Sequence, residues 1–241
     1  MFKVMSTVSR VEFLGMEAHL EIESSKDGIW GYRSSKSTLE NADLSDGKLA
    51  NSRLDQGDFS KTQLQHCDLS AASISSCRFN NADLTGSNFT AAQCIESHFN
   101  NALLNDIDFS HAILTSTDFK RADLSGALLI NTTLDQCLMH DVTLSGASLI
   151  SAHLLNVEPK QINVDGVITS GLKLTGMDLS SSKQLVGNFS NAVFSHCNLQ
   201  RLDMTGCSLV DADLSHSDLS HANLSGVDLS HANLNHCLLK G

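Results

Sequence analysis

The chain has 241 residues, enough for one large domain or two small ones. Only 18% of the residues are charged, acidic side chains outnumber basic ones by 27 to 16, and the formal net charge is −11. A surface of this kind repels nucleic acid and anionic membranes and suits a basic partner, and no stretch approaches the roughly 18 apolar residues of a membrane span.

Residues 1–36 differ in pattern from the rest of the chain. The alternation in VSRVEFLGMEAHLEIE is typical of strands, and SSKDGIWGYR contains the Asp-Gly turn of a hairpin. We predict a β-hairpin that covers the exposed end of the repeat region that follows it, with Trp30 and Tyr32 supplying the covering surface. The start of the chain lacks the apolar run of a secretory signal, so we expect a cytoplasmic bacterial protein. The alternative is export by a secretion route that does not require such an apolar run.

Residues 37–241 form a repeat with a period of five residues. From Leu39 to Leu239 every fifth position, here called a slot, is Leu, Phe, Ile, Met or Val, and the exceptions are Cys94, Pro159, Thr169 and Gln184. Two residues before each slot lies a mostly small residue, which by strand alternation faces the same way. A corner then turns the chain after each repeat, so four consecutive repeats close one square coil.

Stacking such coils at about 4.8 Å gives an all-β rod. We predict about ten coils in one unbroken frame, with Phe59, Phe79, Phe99 and Phe119 stacked on one side. Pro159 cannot donate to a backbone ladder, so it predicts a local bulge rather than a domain boundary. The predicted organisation is a capping segment at 1–36 and one repeat domain at 37–241.

The repeated five-residue sequences NADLS, NADLT, RADLS, DADLS and HANLS resemble those of the pentapeptide-repeat family. The resemblance covers most of the chain and implies that family's right-handed quadrilateral β-helix. It implies function less specifically, because a scaffold motif is not a site. One case that it implies is the quinolone-resistance group, whose members are thought to mimic DNA and bind DNA gyrase or topoisomerase IV.

No pattern in the sequence predicts catalysis, a metal site or a cofactor. Six of the seven cysteines lie at the small inward position and the seventh, Cys94, lies in a slot, so we expect buried free thiols. In the His-Cys pairs, such as His66-Cys67, consecutive side chains point to opposite sides and cannot converge on a zinc ion. His196, His216 and His236 are separated from one another by one full coil and predict a stack at one corner.

Acidic residues concentrate in two regions that contain no Lys or Arg, from Phe79 to Phe119 and from Leu202 to Leu239. We predict that these two acidic belts, on a rod about as wide as duplex DNA, bind a partner. The candidate residues are Asp83, Asp108 and Asp118 in the first region with Asp123 just beyond it, and Asp203, Asp211, Asp213, Asp218 and Asp228 in the second.

Apolar residues break the polar outward pattern at Leu128, Ile130, Ile150 and Ile168, which the phase of the coil places on one side. A contiguous exposed apolar patch marks a contact surface. The alternative is that a neighbouring segment covers it. A smaller pair, Ile95 and Ile113, lies on the adjoining side.

Three functions fit these features. The first is a non-catalytic interaction rod that mimics DNA and binds gyrase or topoisomerase IV. The second is a bacterial secreted effector or scaffold that presents the apolar patch to a protein partner. The third is a structural protein joined end to end. The uncapped last coil predicts self-association through the C-terminal face, for which a homodimer is the simplest form, and the alternative is that the chain is truncated.

Overall fold

The computed structural model describes residues 11–13, 16–18, 21–24, 30–157, 167–180, 182 and 184–241, with side chains from residue 35 onward. Its strands are β1 (Val11–Phe13), β2 (Met16–Ala18), β3 (Glu21–Ser24), β4 (Trp30–Ser35), β5 (Arg53–Asp55), β6 (Ser73–Ser75), β7 (Gln93–Ile95), β8 (Ile113–Thr115), β9 (Thr133–Asp135) and β10 (His153–Leu155). These described segments contain no helix, and therefore none that could span a membrane.

The fold is a quadrilateral parallel β-helix. Strands β4 to β10 pair in parallel, each with the strand four repeats further along the chain, as Arg53 pairs with Ser73. Isolated parallel bridges repeat the same interval on the other three sides, as between Asp58 and Arg78. The predicted unit, one coil made of four five-residue sides, is therefore confirmed.

The coil count differs from the ten that the repeat predicts. The continuous strand ladder from β5 to β10 makes about five turns. Elsewhere the described coils are held by isolated bridges, nearly all of them at the same interval, and beyond β10 no side of a described coil is assigned as a strand.

Each side of the coil is named here by its slot residues. Face A has Phe59, Phe79, Phe99 and Phe119; face B has Leu64, Leu84, Leu104 and Leu124; face C has Leu69, Phe89, Phe109 and Leu129; face D, the strand ladder, has Leu54, Ile74, Cys94 and Leu114. All of these side chains are at most 1% exposed and form one continuous core. The predicted phenylalanine stack is present, with ring centroids 4.9, 4.8 and 5.2 Å apart.

The corners explain the five-residue period. At Phe79 the carbonyl accepts a hydrogen bond from the Ala82 amide at 3.1 Å, and Asn81 between them has a φ of 58°. A turn of four residues with positive φ only at its third residue is a type II turn, which redirects the chain within one repeat. The third residue of each corner, here called the corner residue, is left-handed throughout the regular coils and is often Asn, Gly, His or Asp.

Within the described coils the frame is interrupted at one place, and the expected slot at Gln184 is wrong. Leu179 bonds to the carbonyl of Asn198, whereas Leu185 bonds to Asp203 and Phe189 to Ser208. Leu185 is buried and Gln184 is exposed. A six-residue repeat is thus followed by a four-residue one, because burying Leu185 is favoured over burying a Gln amide. The predicted bulge at Pro159 lies outside the described residues.

The N-terminal strands form two antiparallel hairpins, β1–β2 and β3–β4. The predicted antiparallel pair on either side of the Asp-Gly sequence is confirmed as β3–β4, while the turn itself lies outside the described residues, and β4 also pairs in parallel with β5 through Arg33 and Arg53. The hairpin is therefore continuous with the face D ladder. The side chains of Trp30 and Tyr32 lie outside the described part, and the boundary at residue 36 stays a prediction.

Candidate interaction surfaces

All of the acidic candidate residues except Asp211 occupy one structural position, immediately before a slot. At Asp123 the Oδ1 atom accepts hydrogen bonds from the Ser125 amide at 3.0 Å and from the Ser125 hydroxyl at 2.6 Å. Asn performs the same role elsewhere, as where Asn88 Oδ1 accepts from the Thr90 amide at 2.9 Å. One carboxylate oxygen thus holds the corner, so the position of the charge is fixed by the fold.

These hydrogen bonds lower the pKa of several of the carboxyl groups. The Thr205 hydroxyl and amide hold the pKa of Asp203 below its usual range, and the Ser230 hydroxyl and amide do the same for Asp228. A hydrogen bond to the charged form favours that form. Asp203 and Asp228 therefore keep their negative charge to a lower pH than an unperturbed Asp does.

The first acidic belt is interrupted by leucines. Along face B, Asp83 and Asp123 are separated by Leu103, which is 46% exposed. Asp118 lies between His98 and Leu138 on face A and is itself buried at 8% exposure. The structure therefore does not display the carboxylates of this belt as one uninterrupted surface. Asp108, on face C, is followed by the exposed Leu128.

The second acidic belt surrounds the rod. Asp203 is on face B, Asp213 on face D, Asp218 on face A and Asp228 on face C, while Asp211 is a corner residue between faces C and D. Their neighbours in the adjacent coils are mostly polar: Asn223 follows Asp203, Asn233 follows Asp213 and Ser208 precedes Asp228. This belt is the more uniform polyanion of the two.

The four predicted patch residues are brought together on face C. Leu128, Ser148 and Ile168 follow one another in three stacked coils, and Ile130 and Ile150 stack beside them. Leu128 is 38% and Ile168 52% exposed, whereas Ile130 and Ile150 are half-buried. Ser148 between them is 5% exposed, and its Oγ has no hydrogen-bond partner.

This patch is uncharged. Residues 127–131, 147–151 and 167–171 contain no ionisable side chain. The predicted pair Ile95 and Ile113 lies diagonally across β7 and β8 on face D, and both side chains are exposed. Sequence reasoning missed the exposed Leu103, Leu138 and Leu238, although a leucine immediately before a slot was the available signal.

The cysteines carry no site in the described chain. All seven are free, and six are buried. Burial raises the pKa of Cys67 and Cys77 to about 11 and that of Cys137 to about 12, which keeps the thiols protonated and unreactive. Cys237 is only half-buried, unlike the expectation, because no further coil packs on it.

The predicted histidine stack is present at the corner between faces D and A. The ring centroids of His196 and His216 are 4.7 Å apart and 3° from parallel, and those of His216 and His236 are also 4.7 Å apart. Parallel stacked rings direct their nitrogens side by side and not toward a common point. No group of His, Cys, Asp or Glu among the described residues could hold a metal ion.

Comparison with known proteins identifies the repeat. The rod resembles the trypsin-treated form of QnrB1, a plasmid-mediated fluoroquinolone resistance protein, with 18% identity, a TM-score of 0.51, and coverage of 87% of this chain and 91% of that one. It also resembles HetL, a pentapeptide repeat protein involved in heterocyst differentiation regulation in the cyanobacterium Nostoc sp. strain PCC 7120, with 22% identity, 86% coverage of both chains and a TM-score of 0.27. At these identities the likeness concerns the fold alone.

No curated protein matches the sequence. The model of the family described as pentapeptide repeats matches in 8 copies, over residues 37–75, 58–90, 92–129, 122–157, 188–226 and 207–241. Those ranges cover most of the chain and lie on both sides of the interruption. The chain belongs to the pentapeptide-repeat family.

Proposed function

We propose that the rod is a non-catalytic interaction protein that binds DNA gyrase or topoisomerase IV in place of duplex DNA. The second acidic belt carries this proposal. Its five carboxylates lie within residues 202–239, a length of about two coils or 10 Å. Duplex DNA carries about six charges over the same length, so the charge density of the belt approaches that of the nucleic acid.

The fixed geometry of these carboxylates supports the same function. Asp203, Asp213, Asp218 and Asp228 each accept a hydrogen bond from the amide two residues later, at 2.9 to 3.0 Å. The charges are therefore preorganised, as phosphates are on a duplex, and no side-chain ordering is needed on binding. The shared fold with QnrB1, a fluoroquinolone resistance protein, directs the proposal to topoisomerases.

The test is a supercoiling assay with purified gyrase, a fluoroquinolone and this protein at two salt concentrations. We expect inhibition or drug protection that weakens steeply with salt, because charge-driven binding is screened. A variant with Asp203, Asp213, Asp218 and Asp228 changed to Asn should lose the effect and keep the fold, since Asn223 and Asn233 make the same corner bond in the native chain. No effect of the native protein at a large excess over gyrase would exclude the proposal.

The uncharged patch on face C favours a second candidate function. Leu128 and Ile168 flank a buried, unpartnered Ser148 hydroxyl, and the patch itself has no ionisable side chain, although Asp108 borders Leu128 on the same face. A secreted effector or scaffold would use such a surface to hold a protein. Binding of this kind persists at high salt and is lost in Leu128→Asp, whereas the Asn variant of the acidic belt binds normally.

We further propose a homodimer through the last coil. Its inward residues, among them Leu224, Leu229 and Leu234, are only partly buried, and Leu239 is 58% exposed. A second copy in contact with this end would cover them. Sedimentation should detect a dimer that Leu229→Asp dissociates, while Leu128→Asp leaves it intact. A monomer at all concentrations would overturn the proposal.

A further inference from the structure

A polar recess lies at the corner between faces A and B, on the side of the rod away from the apolar patch. It has a volume of about 380 Å³ and is lined by Asn100, Asn101, Lys120, Arg121, His140 and Asp141. The six residues form two adjacent columns across three stacked coils. Backbone hydrogen bonds fix the columns, since the Asn101 amide donates to Lys120 and the Arg121 amide to His140, both at 2.9 Å.

The recess contains the basic residues of an otherwise acidic region. Among the described residues between Phe79 and Leu172, the only Lys and Arg residues are Lys120 and Arg121, which are adjacent. Arg121 is a corner residue with a φ of 57°, so its side chain projects from the edge of the rod. Two cations thus project from one corner of a protein whose net charge is −11.

These two cations are held loosely by their acidic neighbours. Lys120 Nζ is 3.7 Å from Asp118 Oδ2, and Arg121 Nε is 3.9 Å from Asp141 Oδ2. Both distances exceed the range of a hydrogen bond. By contrast, Arg78 and Asp58 are joined at 2.8 Å nearer the N-terminus. The donors of Lys120 and Arg121 therefore remain available to a ligand.

The remaining lining groups complement these cations. Asn100 Oδ1 is buried and accepts no hydrogen bond, which leaves the Nδ2 donor as the end of the amide that can face the recess. Asn101 adds a second amide. An ammonium, a guanidinium fork and amide donors around one concavity are the groups that recognise a phosphate or another compact oxyanion.

We propose that this recess binds a phosphate group, either as free phosphate or as the monoester of a small molecule. Arg121 and Lys120 contact the phosphate oxygens, and the asparagine amides add hydrogen bonds from the adjacent coil. Asp141 competes with the ligand for Arg121, because its exposed carboxylate lies 3.9 Å from the Nε atom of the guanidinium. This site is independent of the proposed binding of topoisomerases.

The test is an NMR titration of the full chain with inorganic phosphate and with glycerol phosphate, against sodium chloride at matched ionic strength. We expect saturable shifts at residues 100–101, 120–121 and 140–141. Stronger binding of the monoester would identify the source as a phosphorylated small molecule, and equal or weaker binding would identify free phosphate.

Three variants sharpen the test, and the native chain already accepts each change at an equivalent position. Arg121→Gln should weaken binding about tenfold, the loss expected for a charged hydrogen bond, and Gln56 and Gln136 are corner residues in the native fold. Asp141→Asn should strengthen binding severalfold by removing the competing acceptor, whereas Lys173→Gln, at an exposed lysine on face D, should change nothing. Shifts that do not saturate, that sodium chloride reproduces, or that Arg121→Gln leaves unchanged would overturn the proposal.

Discussion

The rings of Phe79 and Phe99 are parallel to within 5°, with centroids 4.8 Å apart, and the two residues are one full coil apart in the chain. Phe99 also stacks on Phe119 and meets Phe109 edge-on at 89°. It therefore lies at the centre of a group of rings that joins faces A and C across the core.

Truncation of Phe99 should accordingly lower the free energy of unfolding more than truncation of any other core residue. Phe99→Ala is expected to lower the free energy of unfolding by about 3–5 kcal/mol, through lost burial and the cavity left behind. Phe99→Leu should lose of the order of 1 kcal/mol, mainly from the lost ring pairs, since leucines fill face A slots at Leu39 and Leu199. Denaturant unfolding measures both losses, and a Phe99→Leu variant as stable as the native protein would show that the ring stack adds nothing beyond volume.

Replacing Ala91 by glycine should raise the free energy of unfolding of the protein, whereas replacing alanine by glycine usually lowers it. Its φ is 58°, a region that is unfavourable for any residue with a Cβ, and glycine occupies the equivalent corner at Gly86 and Gly126. After the greater entropy of glycine in the unfolded chain is subtracted, we expect a gain of about 0.5 kcal/mol for Ala91→Gly. Ala92→Gly, at the buried neighbour, should destabilise, and a loss in Ala91→Gly would contradict the argument.

Substitutions at Asp123 can distinguish the structural role of the aspartates from the role of their charge. Asp123→Ala removes the acceptor of two hydrogen bonds from Ser125 and should cost about 1 kcal/mol. Asp123→Asn keeps an acceptor oxygen in place, as Asn88 does natively, and should be close to neutral in thermal unfolding. If both variants melt alike, the corner bond does not contribute to stability.

The same bonds predict the response to acid. The pKa of Asp203, Asp213 and Asp228 is lowered in the folded state, first by the hydroxyls of Thr205, Ser215 and Ser230. A lowered folded pKa contributes stability above the unfolded pKa, about 4 for Asp, and that contribution is lost as the pH falls through the folded value. Thermal unfolding between about pH 2 and 6 should show this fall, and a triple Asn variant should show a shallower one.

The sequence predicted the coil and its core because the slots identify the buried residues directly. The interruption at Gln184 escaped prediction since a six-residue and a four-residue repeat together span the same length as two regular repeats, so the frame is regular on both sides. The adjacent Leu185 was the available signal. The burial of Asp118 and Ser148 depended on how neighbouring coils cover an outward side chain, which the period alone does not determine.

The four-repeat coil also determines how the rod responds to changes in length. Each backbone bond between regular coils reaches only the next coil, as from Leu64 to Asp83. Removing one whole coil, for example residues 79–98, would join Arg78 to Phe99 and leave every distal side chain on its original face. Removing a single repeat would instead rotate the distal part by a quarter turn and carry Leu128 and Ile168 to the adjoining face. A partner that contacts two separated surfaces of the rod would still find both on their original faces after the first deletion, at a shorter spacing. After the second deletion the two surfaces would point in different directions, and such a partner would no longer bind both.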